Sequence, residues 1–310
     1  MGIRRTFRKY RMERKIPKLT ILILSASCFL YGFGAYDILN LPQDARSLAL
    51  HNAASAYDRP LLRNNPATLS LASEQTIYSY LILPAGIHSG EIQRINKIKS
   101  GILAWRFSYF SYGAILDSET DEKTTPFDIL LEMGYKRTLK NVASVGISGG
   151  CLFSSIADFY SQLLYTNIGL RSQMMSKRMG LGISLENLGI IFNSYTDAEE
   201  SIPAIFRSSI YFRPLYLPVI ISADLIRNLD RNAYELSGGL EFNPGKRITI
   251  RFGCSSRRKE FLTGNFSDDI LADVSGGAGF QFTKMELDVG FINYGAAGYV
   301  LGFSISRKVD

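Results

Sequence analysis

From about residue 74 onward the sequence repeats with a period of two, which commits it to β-strands with one apolar and one polar face. Tyr234, Leu236, Gly238, Leu240 and Phe242 share one face, and Glu235, Ser237, Gly239 and Glu241 share the other. Ile248, Ile250, Phe252 and Cys254 alternate in the same way with Arg247, Thr249, Arg251 and Gly253. Met179–Glu186, Met285–Phe291 and Tyr299–Ser306 repeat the pattern. Fourteen segments qualify, near residues 74–83, 86–94, 100–113, 126–137, 141–152, 160–171, 178–190, 204–213, 217–227, 234–243, 247–256, 273–283, 285–293 and 298–307. No later apolar run is long enough for a transmembrane helix.

Segments near ten residues long suit tilted membrane-spanning strands, and the many Tyr and Phe suit interfacial girdles. The connections carry a second pattern. Those after even-numbered segments are short: Ile95–Lys99, Thr138–Lys140, Ser172–Lys177, Pro214–Tyr216, Pro244–Lys246 and Lys284. Several after odd-numbered segments are long: Ala114–Thr125, Ile191–Pro203 and Arg257–Ala272. Outer-membrane barrels have short periplasmic turns and long external loops. The predicted fold is therefore all-β, a transmembrane antiparallel barrel of about 14 strands over residues 73–310. The hairpin near Pro84-Ala85 departs from the long-loop pattern. A soluble β-sandwich would also alternate, but with its polar face outward; here the polar face is rich in Gly and Ser, which suits a filled lumen.

The formal charge of +7 belongs to the first 35 residues, which hold eight bases and one acid, Glu13. The remainder has 27 bases against 27 acids, so the basic balance gives no support for a nucleic-acid partner. A basic stretch to Lys18, an apolar stretch from Leu19 to about Phe33 and small residues at Gly32, Gly34 and Ala35 form a signal-peptide layout. Residues 1–35 are thus expected to be an export signal, with an uncleaved anchor or a lipid on Cys28 as lesser alternatives. Export together with the predicted barrel implies outer-membrane localisation in a Gram-negative cell.

Chemistry-bearing patterns are sparse. Cys151 and Cys254 lie within predicted strands, where each reads as a small apolar side chain. His51 and His88 are the only two histidines, and neither stands in a nucleophile–base motif. The acidic run Asp117, Glu119, Asp121 and Glu122 lacks the ligand order of a calcium loop. Gly149-Gly150, Gly238-Gly239 and Gly276-Gly277 lack a phosphate-binding lysine and read as close-packing positions in strands. No enzyme activity, metal or cofactor is expected.

Residues 36–72 do not alternate. The Ala-rich stretch Pro42–Tyr57 suits a short helix, and Asn64-Asn65-Pro66-Ala67 is a turn-forming cluster. Tyr36–Pro42 with its Asn40-Leu41-Pro42, then Ala45-Arg46, and then Asn65–Leu69 with its Asn65-Pro66-Ala67, continuing through Trp105–Gly113 and Glu186–Gly189, carry a resemblance. On these residues the chain resembles the PorV/PorQ family, its PorQ-like members in particular. It departs from the family at His51-Asn52, where a glycine pair is usual, and at Asp310, where a terminal aromatic is common among such barrels. The resemblance implies a FadL-like barrel of fourteen strands whose N-terminal segment plugs the lumen, and a non-enzymatic part in type IX secretion and cell-surface attachment. Arg46 would pair inside the lumen with Glu186, Glu235, Glu241 or Glu286, and Asn65 would pin the segment to the wall. The partners expected are outer-membrane lipid and other secretion-system or surface proteins. Two alternatives remain: a FadL-like channel for hydrophobic small molecules, which needs an apolar lumen site and a lateral opening, and a soluble periplasmic adaptor.

Overall fold

The computed structural model describes residues 36–308 except 59–61, 63, 71–73, 117–122, 140–141, 196–199, 246, 263, 265–268 and 270. The leader, the acidic run from Asp117 to Glu122 and the sequence Asn265-Phe266-Ser267 lie outside the described residues.

Fourteen antiparallel strands close into one barrel. In chain order they are β1 (Gln75–Ile82), β2 (His88–Ile98), β3 (Gly101–Ser111), β4 (Phe127–Leu139), β5 (Ala143–Ile156), β6 (Phe159–Met174) and β7 (Met179–Asn193). The second half comprises β8 (Ile205–Phe212), β9 (Val219–Asn228), β10 (Ala233–Phe242), β11 (Ile248–Ser255), β12 (Val274–Gln281), β13 (Met285–Asn293) and β14 (Tyr299–Lys308). Each strand pairs with its sequence neighbours. The seam is β1 against β14, in register from Gln75 opposite Lys308 to Ile82 opposite Leu301. Closure leaves no free edge to aggregate.

Every predicted segment coincides with one strand. The boundaries differ most at β2 and β5, which run on to Ile98 and Ile156, past the predicted ends at residues 94 and 152. Ser154 of β5 and Asn193 of β7 continue the ladder past the predicted ends. β5 and β6 meet in the two-residue turn Ala157-Asp158, with Ala157 at a left-handed φ of 51°. The connections 112–126, 194–204 and 256–273 all emerge at one end. The first holds a small hairpin (Ile115–Leu116 with Lys123–Thr124), and the last opens with a 3₁₀ turn, Ser256–Phe261. By the short-turn rule the opposite end is periplasmic.

Burial is inverted relative to a water-soluble protein. Along β10, Tyr234, Leu236 and Leu240 are exposed while Ser237, Gly239 and Glu241 are buried. On β11, Ile248 and Phe252 are exposed and Arg251 is buried. Leu131, Met133, Ile147, Leu164, Leu225, Val289 and Phe303 continue the outward apolar belt. Strands arranged in this way require hydrocarbon outside, so the soluble-adaptor alternative is excluded. The chain is an outer-membrane barrel.

The described residues of the N-terminal segment pack against inward-facing groups of the wall. Among them the one α-helix, α1 (Ala45–Ala49), is shorter than the expected Pro42–Tyr57. Asp44 starts it by accepting a hydrogen bond from Ser47 N. The chain then turns left-handed at His51, Asn52 and Ala54, which ends helical continuation. Two inner-wall glycines make room for it: a Cβ on Gly290 would lie 2.1 Å from Ala45 O, and one on Gly146 would lie 2.4 Å from Ala67 N.

Candidate functional site: the barrel lumen

Inward-facing polar side chains on opposite walls hold the segment from several directions. Arg46 Nε donates to Glu241 Oε2 at 3.0 Å, and its Nη2 donates to Glu241 Oε1 at 2.6 Å. Burial works against the Arg46 charge, but the facing carboxylate outweighs it and the guanidinium titrates above its ordinary value. Glu241 also accepts from Arg251 Nε at 2.7 Å, and Arg251 continues to Asp288. Ala45 N donates to Ser304 Oγ at 3.0 Å. Ala54 N and Ser55 N both donate to Asp224, whose carboxylate also faces Arg207 at 3.5 Å. Arg171 joins Ala56 O and Asp58 on the segment to β6.

The remaining family-motif residues occupy defined places. Asn65 Nδ2 donates to Leu170 O at 3.1 Å and Ile183 O at 3.3 Å, bridging β6 and β7, while its Oδ1 caps Ala67 N. Pro66 begins the 3₁₀ turn Pro66–Thr68, and Ala67 O accepts from Ser144 of β5. Leu41 packs between two apolar clusters and Pro42 is buried. Asn40 Oδ1 accepts from Asn187 Nδ2 at 2.6 Å.

Asn187 was within the family-like stretch, but its geometry was not legible from spacing. It adopts φ 59°, and the β6–β7 ladder breaks register between Thr166 and Ile168 and again between Gln162 and Leu163. A bulge locally bends a strand and interrupts pairing. This irregular part of the wall borders the largest of the apolar clusters described in the lumen. Phe110, Leu130, Leu152, Leu163 and Tyr165 project from β3, β4, β5 and β6 against Tyr36, Ile38 and Leu39, with Ile202 from the β7–β8 connection. Tyr36 anchors its end of the segment by donating to Glu200 Oε2 at 2.5 Å, and its hydroxyl lies 2.7 Å from Ser161 Oγ.

The histidines are placed elsewhere. His51 Nε2 lies 2.8 Å from Asp273 Oδ1, while Ser255 donates to the other oxygen of Asp273. Serine and histidine therefore both address the carboxylate, and the histidine does not act as a base toward that hydroxyl. His88 stacks on Tyr80 near the β1–β2 hairpin. Cys151 and Cys254 are unpaired thiols on β5 and β11.

No protein-family model and no curated protein sequence matches the chain. Solved structures do. The toluene transporter TodX of Pseudomonas putida superposes with a TM-score of 0.64 at 11% identity, covering 88% of this chain and 99% of that one. The barrel shares the fold of FadL-type channels. The toluene transporter TbuX of Ralstonia pickettii gives 0.59 at 11% identity over 86% of this chain and 98% of that one. A Pseudomonas aeruginosa FadL homologue gives 0.52 at 11% identity, with 86% and 99% covered. These likenesses support the FadL-like barrel. They lend no support to the narrower PorV/PorQ resemblance, which rests on short motifs.

Proposed function

We propose that the chain is a non-enzymatic outer-membrane channel of FadL architecture that admits small hydrophobic compounds. The observation that carries this reading is that, of the apolar clusters described between wall and segment, the largest lies beside interrupted strand pairing. A barrel serving only as a rigid docking post gains little from Phe110, Leu130, Leu152 and Leu163 facing inward beside interrupted strand pairing. An apolar compound would take the place of Tyr36, Ile38 and Leu39 and exchange with the bilayer at the β6–β7 irregularity, where Asn40 and Asn187 form the tie between segment and wall. The structural likeness to two toluene transporters supports the same substrate class. Equilibrium binding of a fluorescent apolar probe to the barrel in lipid nanodiscs tests the reading. Leu152→Asn and Leu163→Asn are expected to weaken binding at least about tenfold, since each leaves a polar group facing an apolar ligand. Unchanged binding in both would place the probe elsewhere.

A second reading is PorQ-like docking of secretion-system or surface proteins. It is supported by the motif residues themselves: Asn40, Arg46, Asn65 and Ala67 are among those through which the segment is tied to the wall. The connection 256–273, with Arg257, Arg258 and Lys259 near its start, is then the contact surface. Deleting most of Arg257–Ala272 would preserve the barrel and abolish recovery of surface partners. Equal recovery from the folded deletion variant contradicts docking through that loop.

A further inference from the structure

At the short-turn end, away from the Phe110–Leu163 cluster, the lumen opens into a cavity of about 190 Å³ that Ile77 and Ile220 line together with charged side chains. Its lining includes Asp44, Arg46, Glu241, Arg251, Glu286 and Asp288. Four carboxylates against two guanidiniums leave an excess of negative charge. Three of the acids are accounted for. Glu241 is held by both arginines, Asp288 by Arg251, and Glu286 lies 3.7 Å from Arg251 at the rim. Asp44 is different. It is 2% exposed, its Oδ1 caps α1 through Ser47 N, and among the described residues no group donates to its Oδ2. A buried carboxylate oxygen without a donor costs free energy that a bound cation would recover.

We propose that this cavity is a binding site for a small organic cation bearing N–H donors, a primary ammonium or a guanidinium, held between Asp44 and Glu286. A guanidinium can present two parallel donors to a carboxylate, and an ammonium presents three diverging donors; either group satisfies Asp44 Oδ2. Among the described residues no group of His, Cys, Asp and Glu is arranged to hold a metal ion. Glu286, with 38% of its side chain exposed, sits where an entering cation would first meet the site. The proposal stands apart from the channel reading: it uses the opposite end of the lumen and different residues.

Isothermal titration of methylguanidinium and of n-butylammonium into the full-length purified barrel tests it, with tetramethylammonium and calcium as comparisons. Saturable one-to-one binding of a donor-bearing cation is expected, with tetramethylammonium at least about tenfold weaker because it cannot donate. Asp44→Asn keeps an amide oxygen to cap α1 and removes the charge, so binding should fall at least about tenfold while heat-modifiable gel mobility is unchanged. Glu286→Gln, at the exposed rim, should weaken binding without touching the helix cap. Absence of saturable binding, equal binding of tetramethylammonium, tighter binding of calcium, or binding unaffected by both substitutions would each overturn the proposal.

Discussion

Arg46 and Glu241 lie 195 residues apart in sequence and meet in a two-point ion pair inside the barrel, at 3.0 and 2.6 Å. The pair joins the N-terminal segment to β10, and through Arg251 and Asp288 to β11 and β13. Removing one member of a buried pair strands the other. Arg46→Ala leaves Glu241 with Arg251 and should cost about 2–3 kcal/mol. Glu241→Gln leaves Arg46 without its carboxylate and Arg251 with Asp288 and Glu286 alone, and should cost more. Denaturant unfolding in detergent and protease cleavage between residues 36 and 70 check the order.

Gly290 allows α1 to touch β13. A Cβ there would lie 2.1 Å from Ala45 O, against backbone rather than a movable side chain. Gly290→Ala should therefore displace the segment while the strand ladder survives. Limited proteolysis should cut the segment in the variant, with heat-modifiable mobility retained.

The lipid face is tested by charge. Phe252 is 57% exposed near the middle of β11, and lysine there should cost about 2–4 kcal/mol. Thr249 faces the lumen cavity, so Thr249→Lys should cost much less. Equal costs in unfolding titrations would contradict the assignment of faces.

Alkaline pH should release the front of the segment. Burial, together with the hydrogen bond to Glu200, raises the Tyr36 phenol from its ordinary 10.0 to about 12. The folded state therefore retains this proton where the unfolded state loses it. The contribution is fully present below pH 10 and is lost as pH rises through about 12. Protease access near Tyr36 should increase over that window, and Tyr36→Phe should flatten the dependence.

Strand number and face were readable because a barrel wall imposes the period of two on every strand, as at Ile248–Cys254. Strand ends were less readable. β5 and β7 run on past their predicted ends at residues 152 and 190, where Ser154 and Asn193 continue the ladder with no regular alternation to mark it. Lumen pairings were only partly visible. Four acids were candidates for Arg46, and only barrel closure and strand register select Glu241. The left-handed Asn187 and its bond to Asn40 leave no spacing signature, because the partners come from distant segments. A signal was present in the inward glycines Gly146 and Gly290. Small residues on a polar barrel face imply a backbone packed against them.

We also propose that residues 1–35 are removed on export, so sequencing of the membrane-extracted protein should begin near Tyr36. A start at Met1 would indicate a retained anchor.

Uptake of a fluorescent apolar probe by proteoliposomes tests the channel most directly. The variant combines Asn40→Cys and Asn187→Cys with Cys151→Ala and Cys254→Ala, and is joined by a short bis(methanethiosulfonate), which forms a reducible disulfide at each thiol with release of methanesulfinate. Probe entry should be rapid in the reduced variant, fall to the rate of empty liposomes when cross-linked, and return on reduction. Equal entry with and without the cross-link, or none above empty liposomes in the reduced barrel, would contradict passage past the Asn40–Asn187 contact.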